Sequence, residues 1–206
     1  MRYFVITGHK AATEASFKLD DLAGGAGRLD ILCRCINSCF VMSHNLRRDA
    51  EIYLVLEGGD DAPKTVRIEG STVRYLNPDE RSTASLIRNA LLKKVPADKE
   101  INSSPGVYIS RMSFDDVIDK LAPLGSFVYL KEDGTDCRDF EFPENPIFVL
   151  GDNQDPTPEE EAKLYAQNPA KICVGPYSLH ADHCMILIQN EMDRREAAVK
   201  GDSSAL

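Results

Sequence analysis

The chain has 206 residues, enough for one sizeable core and short for two full domains, and no apolar run approaches the ~20 residues of a membrane-spanning helix. Its formal charge of −9 argues against a polyanion partner, yet residues 1–95 carry +2 and residues 96–206 carry −11. A nucleic acid would therefore meet the N-terminal half, at Arg47-Arg48, Arg74, Arg81, Arg88 and Lys93-Lys94, although scattered solvated cations explain these residues equally well.

Arg2–Thr7 reads as a buried strand, without the longer apolar stretch and cleavage site of an export signal. Six cysteines in such a chain suggest reduced thiols and a cytoplasmic location. Gly8–Arg28, with Gly24, Gly25 and Gly27, reads as a long irregular loop. Its Ala23–Arg28 stretch lacks the order of a nucleotide-binding glycine motif, which leaves a mobile loop gripping RNA backbone through Arg28, or a plain loop. Leu29, Leu32, Cys35/Ile36 and Cys39/Phe40 then recur at helical steps as far as Ser43. On that helix Cys33 and Cys35 point about 200° apart, so Cys33, Cys35 and Cys39 read as core residues rather than metal ligands.

Glu51–Glu57 reads as a second strand, and Thr65–Ile68 and Thr72–Leu76 as two short ones joined at Gly70. Asn77 is placed as an N-cap, with Pro78 at the first helical position and Glu80 three residues after the cap. That helix would run to about Lys94, where Pro96 stops it. The polar corner Asn77–Arg81 could hold a general base beside a cation, but a helix start with dipole-favoured acids accounts for Asp79 and Glu80 almost as well. Arg81 and Arg88 fall two turns apart on one face, which suits phosphate contacts.

Val107–Ser110 is a strand candidate, Ser113 with Asp116 caps a helix to Leu121, and Phe127–Leu130 is a strand closed by a turn at Lys131–Gly134. Ile147–Leu150 leads into Gly151-Asp152-Asn153, and a helix opened by Thr157 ends near Asn168-Pro169. Ile172–Val174 leads into Gly175-Pro176, and a last helix spans Ala181 to about Ala198. The alternation predicts an α/β fold with a mostly parallel sheet and helices on both faces. One domain covers 1–198, with a flexible polar tail at 199–206. Two strands ending in glycine-containing loops let backbone approach a flat ligand, since glycine has no Cβ, and this points to a cofactor site. His180, His183 and Cys184 lack a zinc spacing and a fourth ligand, so they read as lining a helix N-terminus and no metal is expected.

The units Ile147–Asn153 and Ile172–Cys184 resemble the C-terminal cofactor motifs of the SPOUT, or α/β-knot, RNA methyltransferases. Gly27-Arg28-Leu29-Asp30, Cys33-Arg34-Cys35-Ile36-Asn37, Ser43-His44 and Arg47-Arg48-Asp49 resemble the archaeal TrmY family, the tRNA pseudouridine-54 N1-methyltransferases, and the likeness spans residues 1–195. The resemblance implies a C-terminal deep trefoil knot, over about 126–198, in which the last helix threads a loop. It implies a homodimer and S-adenosylmethionine held by Leu130, Gly151, Val174, Gly175, Pro176, Tyr177, Ser178, Leu179 and Cys184. It also implies a tRNA T-arm on the N-terminal half, about 1–95, with the target base flipped out; the charge and loop patterns there offer Arg28, Arg47, Arg48 and Arg88 as RNA contacts. N1 of pseudouridine must lose a proton, for which Asp79 is the candidate base and Arg81 the cation beside it. The competing readings are a relative acting on another RNA nucleotide such as a ribosomal pseudouridine, a metal-dependent hydrolase using His180, His183 and Cys184, and a non-enzymatic RNA-binding module.

Overall fold

The computed structural model describes residues 1–200. In β1 (Arg2–Ala12) Phe4 and Ile6 face one core and Val5 the other; in β2 (Ala50–Gly58) Ile52, Leu54 and Leu56 face the first and Tyr53 and Val55 the second. Strands buried on both faces need helices on both sides. The first face is covered by α1 (Leu29–Phe40), α2 (Glu80–Leu91) and α5 (Ala181–Lys200), through residues such as Leu32, Ile87 and Met185. The second is covered by α3 (Phe114–Leu121) and α4 (Pro158–Tyr165), through Val117, Leu121 and Leu164.

The other strands are β3 (Lys64–Glu69), β4 (Ile101–Ser104), β5 (Val107–Ser110), β6 (Ser126–Asp136), β7 (Pro146–Gly151) and β8 (Ala170–Cys173). All eight form one sheet in the order β4-β5-β3-β2-β1-β7-β6-β8. β2, β1, β7, β6 and β8 run parallel, and β3, β5 and β4 add an antiparallel edge. The predicted α/β architecture is present. Because the parallel strands share a direction, the loops leaving β1, β7, β6 and β8 open along one edge, where α/β sheets place their ligands.

Buried charge fixes the far end of α5 at the opposite edge of the sheet, where β1 starts. Arg2, 2% exposed, lies 2.7 Å from both Asp193 and Glu196, and Arg47 donates to Asp193 at 2.6 Å. A buried guanidinium stripped of partners costs about 3–5 kcal/mol, so the start of β1 and the last third of α5 hold one another.

Several local expectations are corrected. β1 continues to Ala12, so the irregular segment starts at Thr13 rather than Gly8, and α1 stops at Phe40 because Val41 is extended. Thr72–Leu76 forms no strand; the carbonyls of Gly70 and Val73 accept from Arg48 instead of from a neighbouring strand. Asp79, not Asn77, caps α2, its carboxylate accepting from Ser82 N at 2.8 Å, and the helix ends at Leu91. Lys131–Gly134 is not a turn: Leu130 and Thr135 both pair with Ile172, and the residues between them bulge out of β6. The polar edge strand β4 was not anticipated. β8 ends at Cys173, one residue before the predicted Val174. Val199 and Lys200 belong to α5 rather than to a tail, whose remaining residues, 201–206, lie outside the described residues.

Candidate active site

A cavity of about 590 Å³ opens at the bulge of β6, where β7 and β8 end and α1 and α5 begin, within the usual size of small-molecule sites. Strand ends supply its apolar wall: Leu130 before the bulge of β6, Leu150 at the end of β7, Ile172 on β8, then Val174 and Leu179 in the loop to α5. Glu132, Asp152, Asp155, Arg28, Arg34 and His180 supply its polar groups. Of the residues that the sequence assigns to a cofactor, Leu130, Gly151, Val174, Gly175, Tyr177, Ser178, Leu179 and Cys184 line the cavity; Pro176 does not.

The two glycines act differently. Gly175 has φ +148, which disfavours side chains, and an added Cβ would meet nothing within 4 Å, so its backbone faces open space. A Cβ on Gly151 would lie 2.3 Å from the Gln154 carbonyl oxygen, so the close approach there is made by the loop itself. Ser178 Oγ donates to Glu132 at 2.7 Å, which ties the two loops together and holds that carboxyl below its usual range. Burial, with Asp182 and Glu132 nearby, pushes the Cys184 thiol up to about 11, making it a neutral wall group at physiological pH. The His180 and His183 rings stack with centroids 5.4 Å apart. Among the described residues, the single gathering of metal-type ligand atoms is His9, Glu57 and Glu160, not the cysteine run or the His180 group.

Comparisons with known proteins give the chain a family. A family model described as "Putative SAM-dependent RNA methyltransferase" matches residues 1–197. A relative from Methanocella arvoryzae, named tRNA (pseudouridine(54)-N(1))-methyltransferase, is 49% identical over 195 residues, covering 95% of this chain and 100% of that one. A relative of the same name from Haloferax volcanii is 50% identical, covering 94% and 96%. The chain belongs to this methyltransferase family. Among solved structures, Archaeoglobus fulgidus Nep1 bound to S-adenosylhomocysteine has a TM-score of 0.61 at 14% identity, covering 95% of this chain and 99% of that one, a likeness of fold.

Arg34, which lines the cavity, donates to Asp30 at 3.0 Å and to Glu80 at 3.1 Å, and so joins the cavity wall to the first residue of α2. Asp79 and Arg81 stand at that helix start, outside the cavity lining. Asp79 is exposed, and hydrogen bonds from the Ser82 side chain and backbone hold its carboxyl below the usual range. Arg81, two-thirds exposed, pairs with Asp20. Arg88 is half-buried on the same helix. Arg28, assigned to RNA, lines the cavity while paired with Asp30. Arg47 is engaged by Asp193 and Arg48 by the Gly70 and Val73 carbonyls.

Arg34, Asp182 and His9 were missed by sequence reasoning. Asp182, in the first turn of α5, is 6% exposed, and its Oδ1 has no hydrogen-bond partner, 4.0 Å from Arg34 Nε. Each acts through packing between elements distant in sequence, which no local motif announces.

Proposed function

We propose that this chain transfers the methyl group of S-adenosylmethionine to N1 of pseudouridine 54 in the T-arm of tRNA. The observation that carries the reading is the cavity at the sheet edge, lined by eight of the nine residues that the sequence assigns to a cofactor. Its chemistry matches the cofactor: an apolar wall for a purine, open backbone at Gly175, and the carboxylates Glu132 and Asp155 for a cation. When bound, S-adenosylmethionine supplies a methyl already activated by its sulfonium, so the protein need only align it and manage a proton.

Leu130, Gly151, Val174, Gly175, Tyr177, Ser178, Leu179 and Cys184 would hold that cofactor, with Pro176 shaping the loop between them. Asp79 would take the N1 proton; its depressed pKa keeps it ionised at neutral pH, and its exposure leaves it open to a flipped base. Arg81 would steady the developing charge or a phosphate. Its pairing with Asp20 is exposed, and such pairs contribute only about 0–1 kcal/mol, so exchange for an RNA phosphate costs little. Arg28 and Arg88 would contact the RNA. Arg47 and Arg48 would do so only in competition with their internal partners.

The same reading includes a deep trefoil knot, a homodimer and a cytoplasmic location. Arg195 of α5 donates to the carbonyls of Cys137, Arg138 and Phe140, so that segment lies against α5, as a threaded loop would. Ile186 and Leu187, 51% and 42% exposed on α5, offer an apolar face to a second copy. Free thiols suit a reducing compartment. None of the described helices is long and apolar enough to cross a membrane.

Mass spectrometry of tRNA incubated with the protein and cofactor tests the reaction. A methyl group should appear on pseudouridine 54 and be absent from a transcript carrying uridine there. Equal methylation of both, or of ribosomal RNA alone, would move the activity to another nucleotide. An Ile186→Glu, Leu187→Glu double variant should sediment as a monomer; an unchanged mass would exclude this face from the dimer.

A further inference from the structure

The wall of the cavity between Gly151 and Thr157 is held from behind by a histidine that the reaction does not use. His9 lies on β1 two residues beyond Thr7, whose partner on β7 is Gly151. Its Nε2 is 2.9 Å from Glu160 Oε2, and its Nδ1, buried and without a hydrogen-bond partner, is 3.6 Å from Asp152 Oδ1. The two carboxylates belong to opposite ends of one segment. Asp152 begins the loop after β7 and accepts from Gln154 N at 2.8 Å, while Glu160 sits in the first turn of α4. Glu160 also accepts from Thr7 Oγ1 at 3.0 Å and, in the capping box of α4, from Thr157 N at 2.7 Å. Gly151, Asp152, Asn153, Gln154 and Asp155 all line the cavity.

We propose that His9 is a positioning residue for cofactor binding: as an imidazolium it bridges Asp152 and Glu160 and so holds the Gly151–Thr157 loop in place as the cavity wall. This rests on the reading of the cavity as the S-adenosylmethionine site. The groups facing His9 are Glu160 from α4, Asp152 from the loop and Glu57 from β2, three carboxylates around one cation, with Arg28 at the start of α1 close enough to Asp152 to interact with it. Burial alone would push the imidazolium toward neutrality, but the hydrogen bond to Glu160 and the three negative charges outweigh it and leave its pKa above the ordinary value. A neutral imidazole has one N–H for two carboxylates, so deprotonation releases the longer contact, to Asp152. The positioning effect is therefore complete below the ordinary histidine pKa and is lost as pH rises through the raised value.

Calorimetric binding of S-adenosylmethionine to the wild type and to His9→Gln, between about pH 6 and about pH 9, tests this, because titration of the ligand itself cancels in the comparison. The wild type should bind about tenfold more tightly at the acid end, with the ratio falling towards one at the alkaline end. A ratio independent of pH would make His9 merely structural and overturn the proposal. A nuclear magnetic resonance titration of His9 in the wild type needs no variant: cofactor should raise its pKa by about one unit, the same tenfold seen through linkage. An unchanged pKa would overturn the proposal. Stoichiometric zinc binding lost in His9→Gln would also overturn it, since a metal requires the neutral ring. Wild-type protein that binds no cofactor at any pH would instead remove the reading of the cavity itself.

Discussion

The two halves of the proposed site are built on different principles. Around the cavity, place on the backbone decides a residue's role: Leu130, Leu150 and Ile172 are wall residues because they stand at the bulge of β6 and at the ends of β7 and β8, whatever their side chains pair with. In the N-terminal half, side-chain partners decide. Arg47, Arg48 and Arg81 share a charge and a region of sequence, but the first is engaged by Asp193, the second by two backbone carbonyls and the third only by exposed Asp20. A cation count describes a surface poorly when the fold consumes part of it.

Four substitutions sharpen this contrast. Asp79→Asn should lower the rate of methyl transfer by about 100-fold or more in single turnover, with cofactor affinity unchanged. Asparagine keeps the N-cap, so stability should move by less than about 0.5 kcal/mol. Because the Ser82 hydrogen bonds depress its pKa, Asp79 stays ionised until pH falls well into the acid range, and the wild-type rate should show no acid limb above about pH 5. A limb nearer neutrality would assign the proton to another group. Leu130→Asp places a charge in the apolar wall and should weaken S-adenosylmethionine binding on the order of 50-fold in equilibrium titration, while tRNA binding is retained. Unaltered cofactor affinity would remove Leu130 from the site.

Arg47→Ala should lower stability by about 1 kcal/mol in urea, since it removes a mostly buried guanidinium from the half-exposed Asp193, which keeps Arg2 as a partner, and leave tRNA affinity nearly unchanged. Arg88→Ala should do the opposite. Its stability should match the wild type, while tRNA binding weakens several-fold and the salt dependence of log K loses about one unit of slope. If these two variants behave alike, the division between structural and RNA-facing arginines fails.

The same division explains what could be read in advance. The apolar runs at Arg2–Thr7 and Ile147–Leu150 announce strands buried on both faces, and Ser113 and Thr157 announce helix starts through capping boxes that the structure contains. Gly151 was reachable as a cavity residue because it follows the second of those runs directly. The bulge after Leu130 was hidden because Lys131-Glu132-Asp133-Gly134 has turn composition; its register with Ile172 is set by β8, forty residues on. The cap of α2 moved from Asn77 to Asp79 because both residue types cap well and the packing of Thr83 and Ala84 sets the helix start. His9 carries no local signal, since Asp152, Glu160 and Glu57 reach it from three other elements.

A crystal structure with S-adenosylhomocysteine, the demethylated product of the cofactor, tests the central claim most directly. The ligand should lie at the sheet edge in contact with Leu130, the backbone from Val174 to Leu179, and Cys184. Density elsewhere on the molecule, or an empty edge at saturating ligand, would contradict the account.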